Sequence, residues 1–149
     1  MNKIILGELD LKVFSEQDAS DYCILNDLYP DDITQISLYN NRLTDISGIK
    51  IFKNLNVLWL SHNKLINISV SKDLNNIKIL NISYNQIKDI SVIQYLNNLE
   101  ILNIEDLKLE SNQIQYINSL KNLKYLYCYS GFKDINITDK LNENINVYK

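Results

Sequence analysis

The chain is expected to fold as a solenoid, a stack of short coils that each contribute one strand-like segment and share a single apolar interior. Three observations carry that expectation. The stretches ITQISLYNNRL from Ile33, LNVLWLSHNKL from Leu55 and IKILNISYNQI from Ile77 are copies of one pattern, LxxLxLxxNxL, whose starts lie 22 residues apart. Between copies, apolar residues recur at every third position, as in Leu43, Ile46, Ile49, Phe52, Leu55 and Leu58, or Ile87, Ile90, Ile93, Leu96, Leu99 and Leu102. Only three Gly and one Pro punctuate 149 residues, so Asn must do much of the turning.

The step of three decides against one long amphipathic helix. On an α-helix it advances 300°, so the stripe would drift by about 60° per step and circle the helix within six. It suits a coil that bends at every triplet, built from strand, turn and short 3₁₀ or single-turn helical pieces. One such coil cannot close its own core, whereas stacked coils cover each other's apolar rows.

Taken in order, residues 1–32 read as an N-terminal cap. Leu9, Leu11 and Val13 alternate as a short strand would. Ser15 with Asp18 three residues later resembles a capping box that opens a helix, and Pro30 would halt it, so a helix is predicted from about 16 to 28 burying Cys23, Ile24 and Leu28. Residues 33–131 hold about five repeats, the fourth irregular. There Leu99, Leu102 and Ile104 fit the front of the pattern while Ile104, Leu107, Leu109, Asn112 and Ile114 fit all of it, which reads as an insertion of about five residues. If Leu99, Leu102 and Ile104 keep the 22-residue spacing, the extra residues around Glu105 to Glu110 should bulge and leave Leu107 or Leu109 only partly buried. The fifth copy, Leu123, Leu126 and Cys128, has Gly131 in place of Asn. Residues 132–149 then form a C-terminal cap with Ile135, Ile137, Leu141, Ile145 and Val147 to cover the last coil. The whole, 1–149, reads as one domain.

The extended pattern LxxLxLxxNxLxxIxxLxxLxxL resembles the leucine-rich-repeat family, in the short-repeat class typified by bacterial internalins and the nuclear regulatory subunit of protein phosphatase one. The resemblance implies an α/β fold: a curved right-handed solenoid with a concave parallel β-sheet, a convex side of 3₁₀ or short helical pieces, and here a helical N-terminal cap. It also implies that the repeated Asn is buried after the strand, bonded to main-chain groups of its own and the neighbouring coil. The matching positions are Asn41, Asn63 and Asn85, with Asn112 in the irregular repeat. Asn suits that place because its amide both donates and accepts. Asn54 and Asn98 lie off this register and are expected to matter little for stability.

Composition narrows the function. A net charge of −3 with scattered Lys residues offers no basic field for a phosphate backbone, so nucleic acid is not an expected partner. The apolar run Ile4-Ile5-Leu6 is too short for a signal-peptide core, and no stretch reaches membrane-spanning length, so the expectation is a soluble cytoplasmic protein, with non-classical export as the other route. Cys23 and Cys128 have no CxxC spacing and read as small buried hydrophobes. No catalytic residue, metal or cofactor is expected. His62 is the lone histidine, in a turn, and Cys128 points inward, so the two belong to different faces. Asp31-Asp32 and Glu105-Asp106 read as solvated charges, EDLKLE lacks calcium-loop spacing, and the sequons at Asn67, Asn81 and Asn136 follow from Asn-rich composition.

What remains is the face of the strands that points away from the core. Its candidate partner-binding residues are Tyr39, Val57, Trp59, Ile79, Asn81, Tyr84, Ile101, Tyr125, Tyr127 and Tyr129. Val57, Ile79, Ile101 and Tyr125 would form an apolar row flanked by aromatics, a patch that a lone protein rarely leaves unused. The expected function is a non-enzymatic module binding a partner protein on this concave face. Two alternatives are a regulatory subunit targeting an enzyme such as a protein phosphatase, and a self-associating homodimer paired through the tyrosine-rich strand at 125–129. A further possibility for the tyrosines is that the segment from Phe132 onward folds back over them.

Overall fold

The computed structural model describes residues 3–133 and 137–149. Among them seven three-residue strands form one parallel sheet in chain order: β1 (Lys3–Ile5), β2 (Gln35–Ser37), β3 (Val57–Trp59), β4 (Ile79–Asn81), β5 (Ile101–Asn103), β6 (Tyr125–Tyr127) and β7 (Asn146–Tyr148). The central residues Ile4, Ile36, Leu58, Leu80, Leu102, Leu126 and Val147 stand in register, and all but the last are buried. Each coil therefore returns to the sheet one strand spacing along, the arrangement in which a 22-residue period closes one shared core.

The convex side explains the apolar step of three. Short 3₁₀ turns span Ser47–Ile51, Ser69–Asp73 and Ser91–Tyr95. With three residues per turn, positions i and i+3 eclipse, so Ile46, Ile49, Phe52 and Leu55 all point inward. A side chain two residues earlier starts each turn: Asp45, Asn67 and Asp89 accept from the amides of Ser47, Ser69 and Ser91. In the second turn Ser71 occupies the inward place of Ile49 and Ile93, its hydroxyl satisfied by the carbonyl of Ile68 at 2.7 Å.

The sheet runs into both flanking segments. Ile4 and Ile36 are 32 residues apart, ten more than a repeat, and the excess is the length of α1 (Glu16–Leu25), which packs on the Ser47–Ile51 turn where later coils have 3₁₀ structure. The first strand thus lies at Lys3–Ile5 and not along Leu9, Leu11 and Val13; Leu9 and Val13 are exposed, and Val13 makes only an isolated bridge to Asp45. Ser15 and Asp18 form the expected reciprocal capping box. The helix stops earlier than 28. Asp27 takes a left-handed φ of 52°, the Asp27 amide donates to the Ile24 carbonyl, and the Leu28 amide donates to the Cys23 carbonyl, which closes a Schellman turn. Ala19 and Cys23 face the core, which puts Ile24, about 100° further round the helix, in solvent; the expectation that it is buried is corrected here. At the other end Ile137, Leu141 and Ile145 are buried and β7 pairs with β6. The side chain of Asn118 accepts from the Asn142 amide and donates to the Lys140 carbonyl, tying that segment to the fourth coil. Ile135 and the Asn136 sequon lie outside the described residues.

The fourth repeat keeps its spacing, since Leu80 and Leu102 pair and Ile104 is buried. The rest of that expectation is corrected in two respects. Leu102 and Leu126 are 24 residues apart, so the insertion is two residues, placed on the convex side where a 3₁₀ turn (Ser111–Gln113) runs into α2 (Ile114–Asn118). Leu107 and Leu109 are fully buried, because they hold the positions of Asn85 and Ile87 one coil on. Asn112 is accordingly exposed in the convex turn and belongs to no ladder.

Asn41, Asn63 and Asn85 do form a ladder. The Asn63 amide donates to the carbonyls of Leu38 and Leu60 at 2.8 and 3.1 Å, and its oxygen accepts from the Leu43 amide at 3.0 Å. Asn85 repeats this with Leu60, Ile82 and Leu65, and Asn41 bonds Leu6, Leu9 and Leu11 of the first coil. A second, exposed ladder runs along the opposite edge of the strands. There Asn54, Asn76, Asn98 and Asn122 donate to the carbonyls of Asp31, Lys53, Asn75 and Asn97. Asn54 and Asn98 therefore have structural bonds that their place off the buried register conceals.

Candidate functional site

Residues flanking each strand centre project from the sheet on the side away from the core. One row holds Gln35, Val57, Ile79, Ile101 and Tyr125, and the next holds Ser37, Trp59, Asn81, Asn103 and Tyr127. Of the apolar row, Ile79 and Ile101 are half-buried, but Val57 is only 8% exposed and is withdrawn as a contact residue. The aromatics are more open: Tyr39, Tyr84, Tyr125 and Tyr129 are exposed, and Trp59 and Tyr127 are half-buried. A shallow groove of about 150 Å³ joins Trp59 to Tyr127 over Ile79, Asn81, Ile101 and Asn103. A second, of about 400 Å³, lies on the other side of Trp59 against Lys3, Ile5, Ser37 and Tyr39. Lys3 Nζ sits 5.1 Å from the Trp59 ring centroid, a cation–π contact.

Polar groups on this face are held by their neighbours. Asn81 Oδ1 accepts from the amide and hydroxyl of Ser83, and Asn103 both accepts from the Glu105 amide and donates to its carboxylate. Asn103 stands in the strand register between Trp59 and Tyr127, on the outward face that the alternation of the sequence already gives, and Glu105 follows two residues later on the same side. At the strand entrances Lys124 lies 2.6 Å from Glu100 and holds its carboxyl below the ordinary range, while Glu100 holds the Lys124 ammonium above its own.

After each of the first six strands the chain turns through a left-handed residue: Glu8, Asn40, His62, Tyr84, Asp106 and Ser130 have φ between 49° and 63°. None is glycine, and this conformation is strained for a bulky side chain. Two of these residues use it to meet on the rim, where His62 stacks on Tyr84 with centroids 4.3 Å apart and planes 6° apart.

The C-terminal tyrosines divide. Tyr148 of β7 stacks on Tyr127 at 4.7 Å and tilts against Tyr125 at 6.3 Å. Tyr125 is nevertheless 38% exposed and Tyr129 61%, so the returning segment extends the aromatic face instead of hiding it. Because β7 occupies the free edge of β6, the strand at 125–127 is not available to pair with a second copy. Cys128 is buried, which pushes its thiol up, and lies on the core side of β6 while His62 is exposed after β3. Among the described residues no group of three His, Cys, Asp or Glu is placed to hold a metal. No helix among them is long and apolar enough to cross a membrane.

Short parallel strands, convex 3₁₀ turns and a buried Asn ladder together define a leucine-rich-repeat solenoid. Solved structures with the same fold superpose on it. An internalin (inlF) of Listeria monocytogenes superposes with a TM-score of 0.71 at 28% identity, over 80% of this chain and 35% of that one. The leucine-rich-repeat ectodomain of the receptor kinase SOBIR1 of Arabidopsis thaliana gives 0.60 at 20% identity, over 87% and 69%. A leucine-rich-repeat protein of Leptospira interrogans gives 0.59 at 19%, over 94% and 40%. The chain spans about a third of the length of that first internalin. No protein-family model and no curated protein sequence matches the chain.

Proposed function

We propose that this chain is a non-enzymatic protein-binding module whose partner docks on the concave face, centred on Trp59 and reaching to Tyr127. The observation that carries the reading is the aromatic strip itself: Trp59 and Tyr127 bracket an apolar groove, with Tyr39 and Tyr125 exposed to either side. Aromatic side chains are rigid, bring large apolar area with a polar tip, and are over-represented among residues that dominate binding energy. Strand propensity alone would account for Ile79 and Ile101, but not for tyrosines held at left-handed or rim positions such as Tyr84.

The test is a pull-down from the native cell with tagged wild-type protein and with Trp59→Ala, read by mass spectrometry. A protein retained by the wild type and lost by the variant supports the reading. A protein retained equally by both counts against it, provided wild type and variant melt alike.

A further inference from the structure

We propose that the outer face of the N-terminal cap is a second docking surface, fitted to a cationic amphipathic segment of another protein. Helix α1 presents this face. Its buried stripe is Ala19 and Cys23, so its opposite stripe, Gln17, Asp21 and Ile24 with Leu25 beside it, faces solvent. Leu25 at 83%, Ile24 at 76% and Tyr29 at 70% are the three most exposed large hydrophobics among the described residues. Solvent-facing helix positions are ordinarily polar, because nothing is gained by holding apolar area in water. Here the Schellman turn at Asp27 returns Leu28 toward the core and fixes Ile24 and Leu25 outside it.

Charge says what would cover them. Residues 15–32 carry six carboxylates, Glu16, Asp18, Asp21, Asp27, Asp31 and Asp32, and no Lys or Arg, in a chain of net charge −3; the remainder is therefore +3. Three of the six are engaged locally, Glu16 with Lys50, Asp18 with Ser15 and Asp21 with Gln17. Asp27, Asp31 and Asp32 have no ion pair among the described residues and are interleaved along the chain with, or follow directly on, the exposed Ile24, Leu25 and Tyr29. An apolar patch rimmed by unpaired carboxylates is complementary to a segment whose apolar side chains are flanked by Lys or Arg. The surface is independent of the concave site: α1 packs against the convex Ser47–Ile51 turn, where Gly48 comes so close to the helix entry that a Cβ would lie 2.3 Å from the Ser15 carbonyl oxygen.

The probe is a labelled 18-residue amphipathic peptide of Leu and Lys, titrated with the full chain by fluorescence anisotropy at low salt, beside a Lys and Gln peptide of equal charge. Ile24→Ser/Leu25→Ser should weaken binding about tenfold or more, as removal of central apolar contacts does. Asp27→Asn/Asp31→Asn/Asp32→Asn should weaken it several-fold and flatten its salt dependence, while Trp59→Ala should leave it unchanged. Both cap sets lie on the surface and Trp59 is half-buried; circular dichroism checks the fold of all three, and Leu25→Asp alone serves if the double variant misfolds. Equal binding by wild type and the Ile24/Leu25 variant overturns the proposal, as does equal binding of the Lys and Gln peptide. Loss of binding in Trp59→Ala would assign the peptide to the concave face instead. A wild-type dimer dissolved by Ile24→Ser/Leu25→Ser, seen by light scattering, would make the occupant a second copy and overturn it too.

Discussion

Replacing Asn63 with Ala removes one carboxamide from the turn after β3, and the hydrogen bonds around it set the loss. The Leu43 amide, fully interior, has Asn63 Oδ1 as its acceptor at 3.0 Å and is left without that partner. The three acceptor carbonyls fare better: Leu38 still receives the Asn41 carboxamide at 3.2 Å, Leu60 that of Asn85 at 2.9 Å and Ser61 the Asn40 main-chain amide at 2.9 Å. One orphaned buried donor costs about 1–3 kcal/mol, and the shared bonds add about 0.5–1 kcal/mol between them, for an expected loss of about 1.5–4 kcal/mol. Urea melts followed by circular dichroism and Trp59 fluorescence would read it against Asn76→Ala, which gives up one exposed bond at 3.2 Å and should lose about 1 kcal/mol or less. Asn63→Asp adds a sign. A carboxylate facing the Leu38 and Leu60 carbonyls without a hydrogen to donate would have its folded pKa raised, so its stabilising protonated form persists at low pH and is lost as pH rises. The variant should therefore stand closer to wild type at pH 4 than at pH 7. A loss at Asn63 no larger than at Asn76 would refute the reasoning.

Other perturbations read other parts of the molecule. Ser15→Ala should cost about 1 kcal/mol through loss of the N-cap of α1. The Ser15 hydroxyl and then its amide hold the Asp18 carboxyl below its ordinary range, so that contribution is present above the unfolded pKa and lost as pH falls through the lower folded one; the gap between wild type and Asp18→Asn should close below about pH 4. Gly48→Ala would drive a Cβ against the main-chain oxygens of Ser15 and Phe14, neither of which can swing aside, and should lower stability by about 1–3 kcal/mol in the same urea melts. Tyr127→Ala should lose about 0.5–1.5 kcal/mol with its stack on Tyr148, whereas Tyr129→Ala, 61% exposed, should melt like wild type.

The parts legible in the sequence are those the period repeats. Ile36, Leu58, Leu80 and Leu102 pair as their 22-residue spacing requires, and the Asn ladder follows at Asn41, Asn63 and Asn85. Where the period is interrupted, the pattern misleads. Ten residues of α1 separate Ile4 from the coil it belongs to, and Leu9 stands at the Asn place, so β1 is hidden in what reads as a cap. In the fourth repeat Leu107 at the Asn place and Asn112 five residues later mimic a shifted frame, and only the pairing of β5 with β6 shows the excess to be two residues. The second Asn ladder is visible at a near-constant spacing but carries no burial signature to mark it. Left-handed turns after the strands share no residue type, from Glu8 to Ser130, so no turn motif reveals the His62–Tyr84 stack. On the concave face, alternation shows which side chains project but not how far neighbours cover them, which is why Val57 is lost to burial while Trp59 is not.

Hydroxyl-radical footprinting of the complex with the captured partner tests the concave-face reading most directly, because Trp and Tyr are the side chains that it reports and they lie on both sides of the solenoid. Tyr39, Trp59 and Tyr125 are on the concave side, and Tyr95, 55% exposed, ends a convex turn. A partner docked on the concave face should slow oxidation of Trp59, Tyr39 and Tyr125 several-fold while Tyr95 reacts as in the free protein. Protection of Tyr95 with the concave aromatics unchanged would contradict it.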